Sequence, residues 1–376
     1  MKIALVCDWY RPRIGGLELH LQDLARELGK RGHEVVVITS TPGADRVDGL
    51  PVRRIDAPRL PGLDLLYTAE GIRRVAEAVD AERPDVVHSH VSIVSPVALA
   101  GALAAQRQRR PTVVTFHSIV PRTGTLARGV GALLGAGEWR ARYTAVSQCV
   151  ATAVRSFAPT HSFSVLPNAI DVAAWRTETA RESSAELRLV TVMRLNAKKR
   201  PLALVTMMRR LLDVKPSAPP LLLRIIGDGP QRGRLERAIT RGRLGDRVEL
   251  LGYCSRDRIR EVFAASDLFV LPVVRESFGI AALEARSAGL PIVAMRASGV
   301  AEFVEHGRNG LLARNDAELA SHVALLARDR TLLQTMTTHN RRTPPPYDWA
   351  TVVDAHVAIY CEAMALRANV RAESSA

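Results

Sequence analysis

The chain has 376 residues, long for one hydrophobic core and suited to two domains, and its 47% hydrophobic and 24% charged content excludes a disordered polymer. A formal net charge of +14 favours anionic partners, yet 5% aromatic residues and no recognisable nucleic-acid module exclude nucleic acid as one of them. Four single cysteines (Cys7, Cys149, Cys254, Cys361) form no disulfide frame or zinc spacing, and no apolar run reaches the roughly 18 residues of a membrane span, so a cytoplasmic protein is expected.

Ile3–Cys7 reads as a first strand, ended by Asp8. Ile14-Gly15-Gly16 then leads into a helix over Leu17–Arg31, with Leu17, Leu21, Leu24, Ala25 and Leu28 on one face and Gly32 as its stop. Val35–Thr39, Val86–His88, Thr112–Phe116 and Tyr143–Val146 read as further strands. The apolar stretch Leu126–Gly137, broken by Arg128, reads as a buried helix or a flexible lobe, with a membrane-dipping element as the alternative. Arg176–Glu186 carries no aliphatic side chain larger than alanine and reads as an interdomain linker. The rhythm restarts with Leu187–Val192, Leu221–Ile226, Val248–Leu251, Leu268–Leu271 and Pro291–Ala294, and Pro344–Pro346 precede a last helix from Trp349 to about Leu366. Alternating strands and helices build parallel sheets covered on both faces. Two such sheets create a cleft, and ligands bind at the carboxyl ends of the strands.

The residues able to do chemistry stand after strands. Glu276-Ser277-Phe278-Gly279-Ile280 runs into a helix that carries Glu284. Backbone N–H groups from Ser277 to Ile280 at a helix start form an anion site, and Gly279 admits a phosphate closely. Glu284 could accept hydrogen bonds from a ribose diol. Arg194, Lys198, Lys199 and Arg200 cluster after Leu187–Val192, where fixed cations could clamp a diphosphate; read alone, such a run is a solvated turn. Gly227-Asp228-Gly229-Pro230 is a tight turn, and Gly15-Gly16 permits close backbone approach without being a dinucleotide fingerprint. His117 follows a strand and points toward the cleft, with His88 and His90 placed after another strand. Asn168 could be a loop cap or a ligand contact. There is no Asp-x-Asp to anchor a divalent cation beside a diphosphate, and no Walker loop or G-x-S-x-G.

In order and spacing these pieces resemble the retaining glycosyltransferases of family 4, glycosyl transferases group 1, which have the GT-B fold. The resemblance spans nearly the whole chain. It runs from the glycine pair with Glu18 and His20, through Arg31–Val35, Asp85–His88, His117, Leu166–Asp171, Arg194 with Lys199 and Gly227–Pro230, to the Glu276/Glu284 pair. It implies an α/β chain of two Rossmann-like domains facing a central cleft. Residues 1–175 would bind acceptor, residues 186–345 would bind the nucleotide sugar, and residues 346–376 would supply a helix packing back on the first domain and a disordered tail. Arg194 and Lys199 would hold the diphosphate with the amides of Ser277, Phe278, Gly279 and Ile280 and with Gly16. Glu284 would bind ribose, Glu276 the transferred sugar, and His117 would face that sugar. The implied reaction moves a hexosyl unit from a UDP- or GDP-sugar to a hydroxyl acceptor on one face, with no cofactor and no divalent metal. A lipid-linked or secondary-metabolite glycoside is the acceptor expected, with peripheral contact to the anionic inner face of the plasma membrane left open. The alternatives are a non-hydrolysing nucleotide-sugar epimerase and a non-catalytic GT-B partner subunit. Met193 and Arg200 stand where the family usually has glycines, and Ser298–Glu302 departs from its commoner Gly-Gly-x-Pro-Glu form.

Overall fold

The computed structural model describes residues 1–60, 65–66, 68–119, 138–156, 161–177, 185–213 and 220–373. It divides into two compact units, Met1–Ala169 with Trp349–Ala376, and Ile170–Asp348. The stretch Leu126–Gly137 lies outside the described residues.

The first unit runs β1 (Lys2–Cys7), α1 (Gly16–Lys30), β2 (Glu34–Thr39), β3 (Arg46–Val47), β4 (Leu50–Arg54), β5 (Arg59–Leu60), β6 (Leu65–Leu66), α2 (Ala69–Glu82), β7 (Val86–Val91), α3 (Pro96–Arg107), β8 (Thr112–Phe116), β9 (Arg142–Ala145), α4 (Gln148–Arg155) and β10 (Phe163–Val165). The second runs α5 (Val172–Trp175), β11 (Leu187–Val192), α6 (Pro201–Asp213), β12 (Leu221–Ile226), α7 (Arg232–Arg241), β13 (Val248–Gly252), α8 (Arg256–Ala264), β14 (Leu268–Leu271), α9 (Ile280–Ser287), β15 (Ile292–Met295), β16 (Gly310–Ala313), α10 (Asp316–Arg328) and α11 (Arg330–Arg342). A last helix, α12 (Trp349–Glu373), returns to the first unit, where it packs on β7, β8, β9 and α1. Among the described residues no helix is long and apolar enough to cross a membrane.

The first sheet has the order β10-β9-β8-β7-β1-β2-β4-β3, parallel throughout except β3–β4. Alternation along β1 shows why both faces are covered. Ile3, Leu5 and Cys7 enter one core with Leu21, Leu24 and Leu28 of α1 and Val352, Val353 and Tyr360 of α12. Ala4 and Val6 enter another with Val75 and Val79 of α2 and Val97 and Ala104 of α3. The second sheet is parallel, in the order β13-β12-β11-β14-β15-β16.

Each sheet reverses its winding once, between β1 and β7 in the first unit and between β11 and β14 in the second. Such switch points splay the flanking loops apart at the carboxyl ends of the strands and open a crevice there.

The two units divide at other residues than the bounds read from sequence, and one strand is longer than read. The chain passes between units at Ala169/Ile170 rather than after residue 175. The Ile170 N–H donates to the Tyr347 carbonyl, the Val172 N–H to Asp348, and the Trp175 ring lies 5.7 Å from Phe263, all within the second unit. Arg176–Glu186 is therefore not the linker: Thr177 donates to the Ala288 carbonyl and Ala185 accepts from Arg330, while residues 178–184 lie outside the described set. The return crossing falls at Asp348/Trp349, three residues beyond the expected end of the second domain. Finally, β7 extends through His90 to Val91, so His88 and His90 lie inside a strand and are buried.

Candidate active site

At the second unit's switch point, four loops interlock. The loop after β11 turns into one 3₁₀ turn, Ala197–Lys199, capped by Asn196, whose Oδ1 accepts the Lys199 N–H at 3.0 Å. The loop after β12 packs backbone to backbone against it. The Leu195 N–H donates to the Asp228 carbonyl at 2.9 Å, and Gly227 has φ +127. A Cβ on Gly227 would overlap the Met193 carbonyl, and one on Gly229 would lie 2.6 Å from that of Leu195. These steric demands are why Gly-Asp-Gly stands there. The loop after β13 joins through a 2.7 Å bond from the Gly227 N–H to the Gly252 carbonyl.

The loop after β14 brings in the carboxylate. Lys199 Nζ donates to Glu276 Oε2 at 2.6 Å, and both side chains are partly exposed. Arg200 fixes the lysine turn from behind. Its guanidinium donates to the Pro272 carbonyl at 2.8 Å and pairs with Asp316 at 2.6 Å, while its backbone takes φ +57. Glycine would adopt that left-handed conformation without steric cost. Gly279 heads α9 with φ +93, and a Cβ there would lie 2.6 Å from Val300 Cγ2. The first amides of α9 thus start a helix at the switch point, the geometry that attracts anions. Glu284, just over one turn into α9, is only 8% exposed. Arg194 is exposed beside the lysine turn.

The first unit's switch point is built differently. Asp8, ending β1, accepts the Val97 and Ala98 N–H groups at the start of α3, at 2.9 and 3.4 Å. Burial pushes its pKa up to about 7 against the pull of those backbone bonds. The same unit holds a cluster of histidines, His20, His88, His90 and His356 buried and His117 half-buried. His88 hydrogen-bonds Tyr360 OH at 2.9 Å and Thr115 Oγ1 at 2.6 Å. His90 Nδ1 and His117 Nε2 share a 3.0 Å hydrogen bond, and His20 stacks on Trp349 with ring centroids 5.1 Å apart. Burial holds His117 at about 3 and His356 at about 4, and it pushes the other three well below the usual imidazole value, so all five are neutral near pH 7. Among the described residues no three such side chains are arranged to hold a metal ion.

Residues 177–343 match the family model for glycosyl transferases group 1, and residues 14–174 match that for Glycosyltransferase Family 4. The chain belongs to glycosyltransferase family 4. It is 29% identical over 336 residues to an uncharacterized glycosyltransferase of Methanocaldococcus jannaschii, covering 83% of this chain and 84% of that one. It is also 29% identical over 339 residues to the D-inositol 3-phosphate glycosyltransferase of Pseudarthrobacter chlorophenolicus, covering 79% and 78%. Among solved structures, Anabaena HepE in complex with UDP and glucose matches with a TM-score of 0.78 and 24% identity over 96% of this chain and 100% of that one. The transferase has the GT-B fold.

Of the site residues named from sequence, the second unit of this glycosyltransferase brings Arg194, Lys199, Glu276, Ser277, Phe278, Gly279, Ile280 and Glu284 to one switch point. His117 and Gly16 belong to the first unit. There the steric demand of the glycine pair falls on Gly15, where a Cβ would lie 2.5 Å from the Glu18 carboxylate that folds over the helix start. Gly16 is the exposed first residue of α1. Asn168 is buried immediately before the crossing, its Oδ1 without a hydrogen-bond partner. Sequence reasoning passed over Asp8 and the tether between Arg200 and Asp316. A lone aspartate closing an apolar strand was the available signal for Asp8; for the tether there was none, since its partners are 116 residues apart.

Proposed function

We propose that this glycosyltransferase moves a hexosyl unit from a UDP- or GDP-sugar to a hydroxyl acceptor with retention of configuration and without a divalent metal. The observation that carries the reading is the Lys199–Glu276 pair, 2.6 Å apart beside the Gly279-headed helix at the β11/β14 switch point. A lysine ammonium has three donors, so Lys199 can keep Glu276 oriented while it also holds a phosphate oxygen. Arg194 and the first amides of α9 supply further positive potential where the diphosphate gains charge. Glu284 accepts from the ribose hydroxyls, Glu276 from hydroxyls of the transferred sugar, and His117 contacts that sugar.

In the proposed step the bond from the anomeric carbon to the leaving phosphate oxygen breaks, and the bond to the acceptor oxygen forms on the same face. The acceptor's proton passes to the departing phosphate oxygen. No protein nucleophile takes part, so the work of the side chains is positioning and charge stabilisation. The exposed Ile14, Ile93 and Val94 occupy the loops after β1 and β7, which suits an acceptor with an apolar portion such as a lipid-linked glycoside.

The test is transfer from UDP- and GDP-hexoses to a panel of hydroxyl acceptors in EDTA, with the new anomeric centre followed by proton NMR. Product of the donor's own anomeric configuration is expected. Inverted product, or turnover abolished by EDTA and restored by Mg²⁺ or Mn²⁺, would overturn the mechanism.

A further inference from the structure

Within the first unit, His117 is held on both sides. The Nε2 of its ring shares a hydrogen bond with His90 Nδ1 at 3.0 Å, its backbone N–H donates to the Val91 carbonyl at 2.8 Å, and the His20 ring lies with its centroid 5.9 Å away. His90 is itself fixed. It lies in β7, fully surrounded, with its ring centroid 3.9 Å from that of His88, which Tyr360 and Thr115 hold at both nitrogens. The other nitrogen of His90, Nε2, is buried with no hydrogen-bond partner.

That orphan nitrogen decides where the protons sit. Each neutral imidazole carries one N–H and one lone pair. A buried N–H without an acceptor is the rarer and costlier deficit, so the bare lone pair belongs at His90 Nε2 and the proton at His90 Nδ1. His90 Nδ1–H then donates to His117 Nε2, which leaves His117 with its own proton on Nδ1. Loss of water, complete at His90 and partial at His117, favours the neutral form of both rings, and the nearest titratable neighbours on α1, β7 and α12 are other histidines (His20, His88, His356) rather than carboxylates. Isolated histidine side chains favour the opposite, Nε2–H form, so the arrangement selects a minority tautomer.

We propose that His90 is a positioning residue for sugar transfer: its hydrogen bond locks His117 as the Nδ1–H tautomer in one ring orientation, presenting a hydrogen-bond donor to a hydroxyl oxygen of the transferred sugar. The inference rests on the reading that His117 contacts that sugar. It adds that the contact is made by a donor and that a strand residue out of reach of substrate sets this.

The test uses the full chain labelled with ¹⁵N-histidine and three variants. Two-bond ¹H–¹⁵N correlation assigns the His117 tautomer, with H117A identifying its signals. Wild type is expected as Nδ1–H, H90A as predominantly Nε2–H. In H90N the Asn amide can donate in place of Nδ1, so Nδ1–H should persist. H90A should lower kcat about five- to tenfold with little change in acceptor KM, the size of one lost hydrogen bond, and H90N should recover most of the rate. An Nε2–H signal for His117 in wild type, or a wild-type kcat in H90A while H117A is impaired, would overturn the role of His90. Unimpaired H117A would instead remove the sugar contact on which the inference stands. If H90A fails to fold, the wild-type tautomer and the H90N rate still decide.

Discussion

At the second unit's switch point the ion pairs, Lys199 against Glu276 and Arg200 against Asp316, are partly exposed; the first unit's histidines are neutral rings, all buried except the half-buried His117. The same winding reversal thus carries two kinds of chemistry. Partly hydrated ions can exchange their partner for a charged ligand at modest cost, because water screens the pair they give up. Buried imidazoles cannot become charged without a large desolvation penalty, but they hold hydrogen-bond direction well. The first arrangement suits a diphosphate that gains charge during reaction; the second suits recognition of neutral hydroxyls.

Acid should separate the two units most visibly. The unfolded chain titrates its histidines near the ordinary 6.5, whereas the folded first unit keeps His117 neutral to about 3 and His356 to about 4, with His20, His88 and His90 also held well below normal. The unfolded state therefore binds more protons below 6.5, and stability present above that pH is lost as pH falls toward 4. Each histidine contributes a slope of about 1.4 kcal/mol per pH unit in that window. Asp8, raised to about 7, works in the opposite sense, its folded form binding a proton that the unfolded chain releases above the usual carboxylate range, but it is one group against five. Calorimetry should show the first unit's Tm falling by more than about 10 °C between pH 7 and pH 5 while the second unit changes less. A flat Tm across that range would contradict the buried neutral cluster.

The next effect is catalytic. K199A and E276A should each lower kcat/KM about tenfold or more, a loss of at least about 1.4 kcal/mol of transition-state stabilisation, with far-UV circular dichroism unchanged. Near-normal rates in both would mean that the pair is merely a surface ion pair. Smaller again is the tether. R200A should cost about threefold in kcat/KM by loosening the lysine turn, and R200G less, because glycine relieves the φ +57 backbone even as it loses the contacts to Pro272 and Asp316. Equal loss in both variants would show that backbone strain plays no part.

Strand positions were legible because buried parallel strands are short, mostly aliphatic runs with sharp ends: Leu187–Val192, Leu221–Ile226 and Thr112–Phe116 are observed as read. The reading failed where polar residues continue a strand. Val86–His88 runs on through Ser89 and His90, whose burial depends on a helix more than 250 residues later that carries His356 and Tyr360. The linker was misplaced for a related reason. Polar composition marks a lack of core side chains, but Thr177 and Ala185 are tied to the second unit through backbone carbonyls and a hydroxyl, which composition does not encode. Individual candidate residues could be named from their placement after strands. Their pairing was not, since Lys199 and Glu276 are 77 residues apart and nothing in either segment specifies the other.

In the proposed function the second unit is a nucleotide-sugar site built on Lys199, Arg194, Glu284 and the start of α9. Thermal shift with UDP, GDP, ADP and their common sugar conjugates, in EDTA, tests it most directly. A ligand at about 100 times its Kd adds about 2.7 kcal/mol, or roughly 5–10 °C for a unit of this size. Such a shift is expected with a uridine or guanosine diphosphate ligand, unchanged by EDTA and much reduced in K199A. No shift with any nucleotide diphosphate would contradict it.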